Sequence, residues 1–147
     1  MNKLLKFVKN LYMKLKVLKC QEFTTYNLDF KYFSIKEFDS PDVIGSGNKM
    51  DKKFIEKLDY ARGNAGVPFK INSGYRTNKW NEKVGGRIGS SHIKGLAADI
   101  QAIGSRDRAL IVKSLLDVGI NRIGIAKTFI HCDVDKDKDQ DVIWLYN

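Results

Sequence analysis

The chain contains only two histidines, and each stands a short distance from an aspartate. In SSHIKGLAADI, residues 90–100, His92 precedes Asp99 by seven positions. In TFIHCDVD, residues 128–135, His131 and Asp133 alternate. Two imidazoles and one carboxylate are a familiar ligand set for zinc. Three protein ligands leave one position for water, the mark of a catalytic rather than a structural site. Zinc so held lowers the pKa of the water and polarises a carbonyl, as amide hydrolysis requires. Spacing alone leaves an alternative open: each histidine could be an isolated polar residue satisfied by hydrogen bonds.

Convergence of these groups depends on the elements that carry them. Strand alternation in TFIHCDV puts Phe129, His131 and Asp133 on one face, with Ile130, Cys132 and Val134 on the other. The apolar set faces a core, so His131 and Asp133 face a cleft or solvent, and Cys132 is expected to be a buried free thiol pointing away from any metal. In GLAADI the same rule pairs Ala97 with Asp99 and Ala98 with Ile100. If the two strands are neighbours, Asp99 meets His131, and a turn at Gly95 can fold His92 back to the same point.

The remaining elements follow from periodicity and breakers. Met50, Phe54, Leu58 and Ala61 form one apolar helical stripe, which Gly63, Gly66 and Pro68 are expected to end. FKINS reads as a short strand, NKWNEKV as a short helix and AADIQAI as a strand. A helix then runs from an N-cap at Ser105 to a stop at Gly119. RIGI, TFIHCDV and VIWLY read as three closing strands. Helices first and strands joined by short turns later predict an α+β domain, a small antiparallel sheet with helices packed on it. The aspartates at 133, 135, 137, 139 and 141 are expected to be a solvated hairpin turn, since an EF-hand loop needs glycine and glutamate at positions that this run fills otherwise.

Composition narrows the class. At 147 residues with 43% hydrophobic content, the chain suits one domain with a real core. Its 26 Lys and Arg against 17 Asp and Glu give a formal charge of +9, which points to an anionic partner. No recognition-helix or RNA-binding signature is present, so nucleic acid is not expected as the partner. Cys20 and Cys132 do not make a disulfide framework. In the first twenty residues Leu4, Val8, Leu11, Leu15 and Leu18 recur among lysines, the pattern of a basic amphipathic helix. Three readings of it stay open: weak contact with an anionic membrane, packing on the domain, or a basic extension. Lys14 and Lys16 interrupt the apolar run that a signal peptide needs, which leaves the compartment unknown.

SGYRT, NEKVGG, SSHIKGLAADI, GINRIGI and FIHCDVD, in that order, resemble the zinc D-alanyl-D-alanine carboxypeptidase family, which also includes phage L-alanyl-D-glutamate endopeptidases. The family pattern S-x-H-x-x-G-x-A-x-D, followed by a late histidine in a strand, is matched by Ser90, His92, Gly95, Ala97, Asp99 and His131. The similarity runs from about Phe33 to the C-terminus. It implies a hedgehog-like zinc fold over residues 21–147, behind the basic segment 1–20. It further implies a peptidase of peptidoglycan stem peptides, acting at the bacterial cell wall or periplasm, with phage or prophage endolysin-like relatives.

On the matching positions, the resemblance implies zinc on His92, Asp99 and His131. It implies Arg76 as the group that binds a substrate carboxylate and supports the oxyanion, with Ser73, Tyr75 and Ser91 on the substrate side and Asn81 bracing the loop. Gly85, Gly86 and Gly89 are expected to make a flexible substrate-binding loop. Relatives usually carry a carboxylate three residues before the last histidine as general base. Thr128 stands there instead and cannot serve as a base near neutral pH. Asp133 is the local substitute, either as that base or as a partner orienting a ligand histidine. The missing carboxylate also allows a rival reading, a zinc-binding wall or partner module without turnover.

Overall fold

A computed structural model describes residues 30–146. The basic segment 1–20 and the interactions expected of it, with Cys20, lie outside the described residues. Among the described residues, three α-helices and five strands follow two single-turn 3₁₀ segments, Ile35–Phe38 and Ser46–Lys49. Helix α1, Lys52–Ala65, starts where the Asp51 carboxylate accepts the Phe54 N–H at 2.8 Å, a cap that satisfies one of the free amides of the first turn. It buries Phe54, Leu58 and Ala61 of the expected stripe, with Ile55 and Ala65 beside them, whereas Met50 is buried just ahead of the helix rather than in it. The helix passes through Gly63, whose bare Cα leaves room for the Tyr32 ring, and stops at Gly66, which takes the left-handed conformation at φ +64°. Truncating Leu58, which is fully buried, to alanine would cost about 2–5 kcal/mol.

The short helix α2 spans Asn78–Lys83, and α3 spans Ser105–Asp117. Ser105 is the first helical residue of α3 rather than its cap, a position taken by Gly104. Helices α1 and α3 pack together over one face of the sheet. Ile100, Ile123, Ile130 and Cys132 of that face close the core against Phe54, Leu58, Ile111 and Leu115.

The strands are β1 (Ile71–Ser73), β2 (Ala97–Gln101), β3 (Arg122–Ile125), β4 (Phe129–Asp133) and β5 (Val142–Leu145), in the spatial order β1-β2-β4-β3-β5. The sheet is mixed, not purely antiparallel: β5 runs parallel to β3. The physical reason is that β4 is already flanked by β2 and β3. A chain leaving β4 has no edge beside it to fold back on. It crosses the start of β3 and pairs with the free edge of that strand, so no β4–β5 hairpin forms.

That crossing also corrects the reading of the aspartate run as solvated. Asp133 and Asp135 are 2% and 1% exposed. Asp135 accepts from the Lys94 ammonium and the Ser91 hydroxyl. The Asp139 carbonyl accepts from Arg122, and Asp141 from the Asn121 amide at 2.9 Å. The outer part of the run does meet water: Asp137, Asp139 and Asp141 are exposed, Asp137 with an 83% exposed side chain.

Candidate metal centre

The register of β2 with β4 pairs Asp99 directly with His131 on the sheet face away from the helices. Alternation buries Ala98, Ile100, Ile130 and Cys132 on the other face, which commits both polar side chains to this one. His92 arrives from the turn before β2. Gly95 makes that turn possible, since it has φ +70° and an added Cβ would collide with the Lys49 carbonyl. One ligand atom each from His92, Asp99 and His131 lies within 4.8 Å of the others.

The hydrogen bonds around the trio fix which nitrogens face inward. His92 Nδ1 lies 2.7 Å from the Gly74 carbonyl oxygen, so it carries a proton and donates, leaving the Nε2 lone pair toward Asp99 Oδ1 at 3.3 Å. His131 Nε2 lies 3.0 Å from Asp133 Oδ2, and its Nδ1 lies 2.8 Å from Asp99 Oδ1. Each imidazole thus has an acceptor on its outer nitrogen, the arrangement that orients histidine ligands in metal sites. The donor set fits zinc in number and kind. Ligand atoms about 2.0–2.1 Å from a tetrahedral ion lie roughly 3.3 Å apart, close to what the His92–Asp99 pair shows.

Charge balance in this pocket is set by the same contacts. Burial would raise the pKa of Asp99, but the His131 and His92 imidazoles beside it hold it well below the usual carboxylate range. Burial would lower that of His131, yet hydrogen bonds to Asp133 and Asp99 outweigh it and raise the imidazole pKa. Asp133, also opposed by burial, is held low by His131, the Asp135 backbone N–H and Arg122. Cys132 is fully buried, and burial pushes its thiol far up. Its Sγ faces the Ala98 carbonyl, away from the trio.

Arg76 reaches the trio from the loop after β1. Its Nη2 donates to Asp99 Oδ2 at 2.8 Å and its Nε to Ser73 Oγ at 2.8 Å. Ser73 therefore aims the guanidinium. Tyr75 is 8% exposed and packs in the core, with the Lys49 ammonium over its ring. Ser91 is 2% exposed and its hydroxyl is committed to Asp135. Asn81 Nδ2 donates to the Arg87 carbonyl at 3.1 Å and so braces the glycine loop. Thr128 is exposed just before β4 and brings no carboxylate to the trio.

Three contributors to this centre are not apparent in the motifs. Arg122 Nε donates to Asp133 Oδ1 at 2.7 Å, a buried ion pair that pins the carboxylate against His131. Asp135 ties Ser91, next to His92, to the end of the His131 strand. Trp144 brings its ring within 5.5 Å of the His131 ring. Alternation in RIGI does put Arg122 opposite Ile123 and Ile125, but its pairing with Asp133 depends on strand register. The family model described as Peptidase M15 matches residues 22–133. No curated protein matches the chain.

Proposed function

The chain belongs to the peptidase M15 family, and from that premise we propose that it is a zinc metallopeptidase that hydrolyses the stem peptides of peptidoglycan. The observation that carries the reading is the convergence of His92 Nε2, Asp99 Oδ1 and His131 Nδ1, with both outer imidazole nitrogens already engaged. Zinc held by these residues would supply an activated water and an electrophile for the scissile carbonyl.

The chain's own groups divide the rest of the work. Arg76 offers a rigid fork of donors, aimed by Ser73, to a substrate carboxylate or to the oxygen that gains charge. Asp133 is tied on Oδ1 by Arg122 and by the Asp135 backbone N–H, while Oδ2 accepts from His131. This supports an orienting role, in which Asp133 keeps the proton on His131 Nε2 and the lone pair on Nδ1. The net charge of +9 suits an anionic wall polymer.

Thr128 favours one rival: a wall-binding zinc module without turnover, because no carboxylate stands where the family's base does. Mass spectrometry of purified muropeptides, incubated with zinc-loaded protein beside a chelated control, separates the two. A defined zinc-dependent product is expected and names the bond. An unchanged digest with stoichiometric zinc bound would favour the module.

A further inference from the structure

Gly124 sits on β3 between two aromatic-bearing positions, paired with His131 of β4 on one side and Trp144 of β5 on the other. Neighbouring strands lie about 4.7–4.9 Å apart, so β4 and β5 are about 9–10 Å apart across β3. Rings from the two strands can meet only if the residue between them has no side chain. The His131 and Trp144 centroids are 5.5 Å apart. A Cβ on Gly124 would lie 2.5 Å from Tyr146 Cε2 and 2.7 Å from Trp144 Cε2. Gly124 is the gap over which both rings lean toward the metal trio.

The two rings form one surface with Phe129. Tyr146 lies 5.4 Å from the Phe129 ring and 6.4 Å from the His131 ring, centroid to centroid. The Tyr146 backbone N–H donates to the Ile125 carbonyl at 2.9 Å, which holds the residue beside the sheet. Trp144 is half-buried and Tyr146 is 45% exposed, so ring surface stays open to solvent beside His131.

Across the sheet the order is then Arg76 near β1, Asp99, His131, and the aromatic pair on β5. We infer that Trp144 and Tyr146 are substrate-contacting residues, an aromatic shelf for a small aliphatic side chain next to the scissile bond, on the side opposite the carboxylate held by Arg76. The inference rests on the peptidase reading above. An extended peptide advances about 3.3–3.6 Å per residue. A shelf beginning 5.5 Å from the His131 ring therefore lies within two residues of the reacting carbonyl. An aliphatic occupant fits better than a cation, because the Arg122 guanidinium carbon already lies 5.4 Å from the Trp144 ring centroid. A methyl group of an alanyl residue has the size and polarity for such a surface.

The chain has two tryptophans, so Trp80→Phe leaves Trp144 as the single indole reporter. Zinc-loaded Trp80→Phe protein is titrated with a purified pentapeptide muropeptide, and Tyr146→Ala and Tyr146→Phe are assayed for zinc content, KM and kcat. Expected are a saturable change in Trp144 emission, a KM raised about tenfold in Tyr146→Ala and within about twofold of the parent in Tyr146→Phe, and full zinc content throughout. Cleavage by the parent without any Trp144 response, or an unchanged KM in Tyr146→Ala, overturns the shelf and leaves the peptidase reading intact. A saturable response without cleavage sinks the peptidase reading and upholds only peptide contact by the aromatic pair, with no scissile bond beside it. Silence in both assays overturns the shelf, as does loss of zinc in Tyr146→Ala, which would make the ring a support for His131.

Discussion

His131 and Asp99 are register partners on adjacent antiparallel strands, and their Nδ1 and Oδ1 atoms lie 2.8 Å apart. A pair on facing strands keeps its geometry as long as the ladder holds, so the centre is built on rigid elements rather than on loops. Only His92 depends on a turn, and that turn is fastened to the end of β4 through Ser91 and Asp135.

His131→Ala removes one of the three candidate ligands from the trio. Zinc stoichiometry is expected to fall well below one, and kcat/KM to fall roughly a thousandfold or more, while far-ultraviolet circular dichroism stays that of the parent. Unchanged hydrolysis in this variant would dispose of the metal mechanism.

Arg122→Ala leaves Asp133 buried without its cation. Breaking a buried ion pair in this way costs about 3–5 kcal/mol, read from denaturant midpoints. Freed from its tether, Asp133 orients His131 less well, and zinc affinity should drop about 10- to 100-fold in a competition titration. Parental zinc affinity in a folded variant would show that the tether does not act on the centre.

Asp135 governs an acid limb of stability. Burial would raise its pKa, but the Lys94 ammonium, the Ser91 hydroxyl and the Asp137 backbone N–H hold it below the ordinary value. A folded-state pKa below the unfolded value of about 3.9 means that the stabilisation is complete above that pH. It is lost as the pH falls through the lower, folded-state value. Asp135→Asn should therefore be less stable near neutrality by roughly 2 kcal/mol, with the gap to the parent closing in acid. Melting curves of both proteins across that range check this, and a gap that stays constant with pH would contradict it.

Thr128→Glu restores a carboxylate at an exposed position, where substitution alters stability by no more than about 0.5 kcal/mol. If only the base is lacking, hydrolysis should rise about a hundredfold. Equal turnover in parent and variant would mean that proton transfer is handled elsewhere, or that the deficit lies in substrate binding.

Much of this centre is legible in the linear chain because alternation is a local rule. Opposite faces for His131 and Cys132, and for Asp99 and Ile100, follow from each strand's period of two, and the apolar half must face the core. The helix over Phe54, Leu58 and Ala61 is equally local, although it starts after Met50 and runs through Gly63, against which the distant Tyr32 ring packs. What alternation cannot supply is which strand lies beside which. The mixed sheet, the crossing of β3 by residues 134–141, and the burial of Asp133 and Asp135 all follow from β4 having both edges occupied. The Arg122–Asp133 pair and the aromatic rings over Gly124 depend on register across two strand boundaries. Residue types and spacing gathered the three candidate ligands and put His131 and Asp99 on the polar faces of their strands, and the family resemblance carried zinc onto them. Only the tertiary arrangement decided what stands behind and beside them, because those contacts join residues that no local period relates.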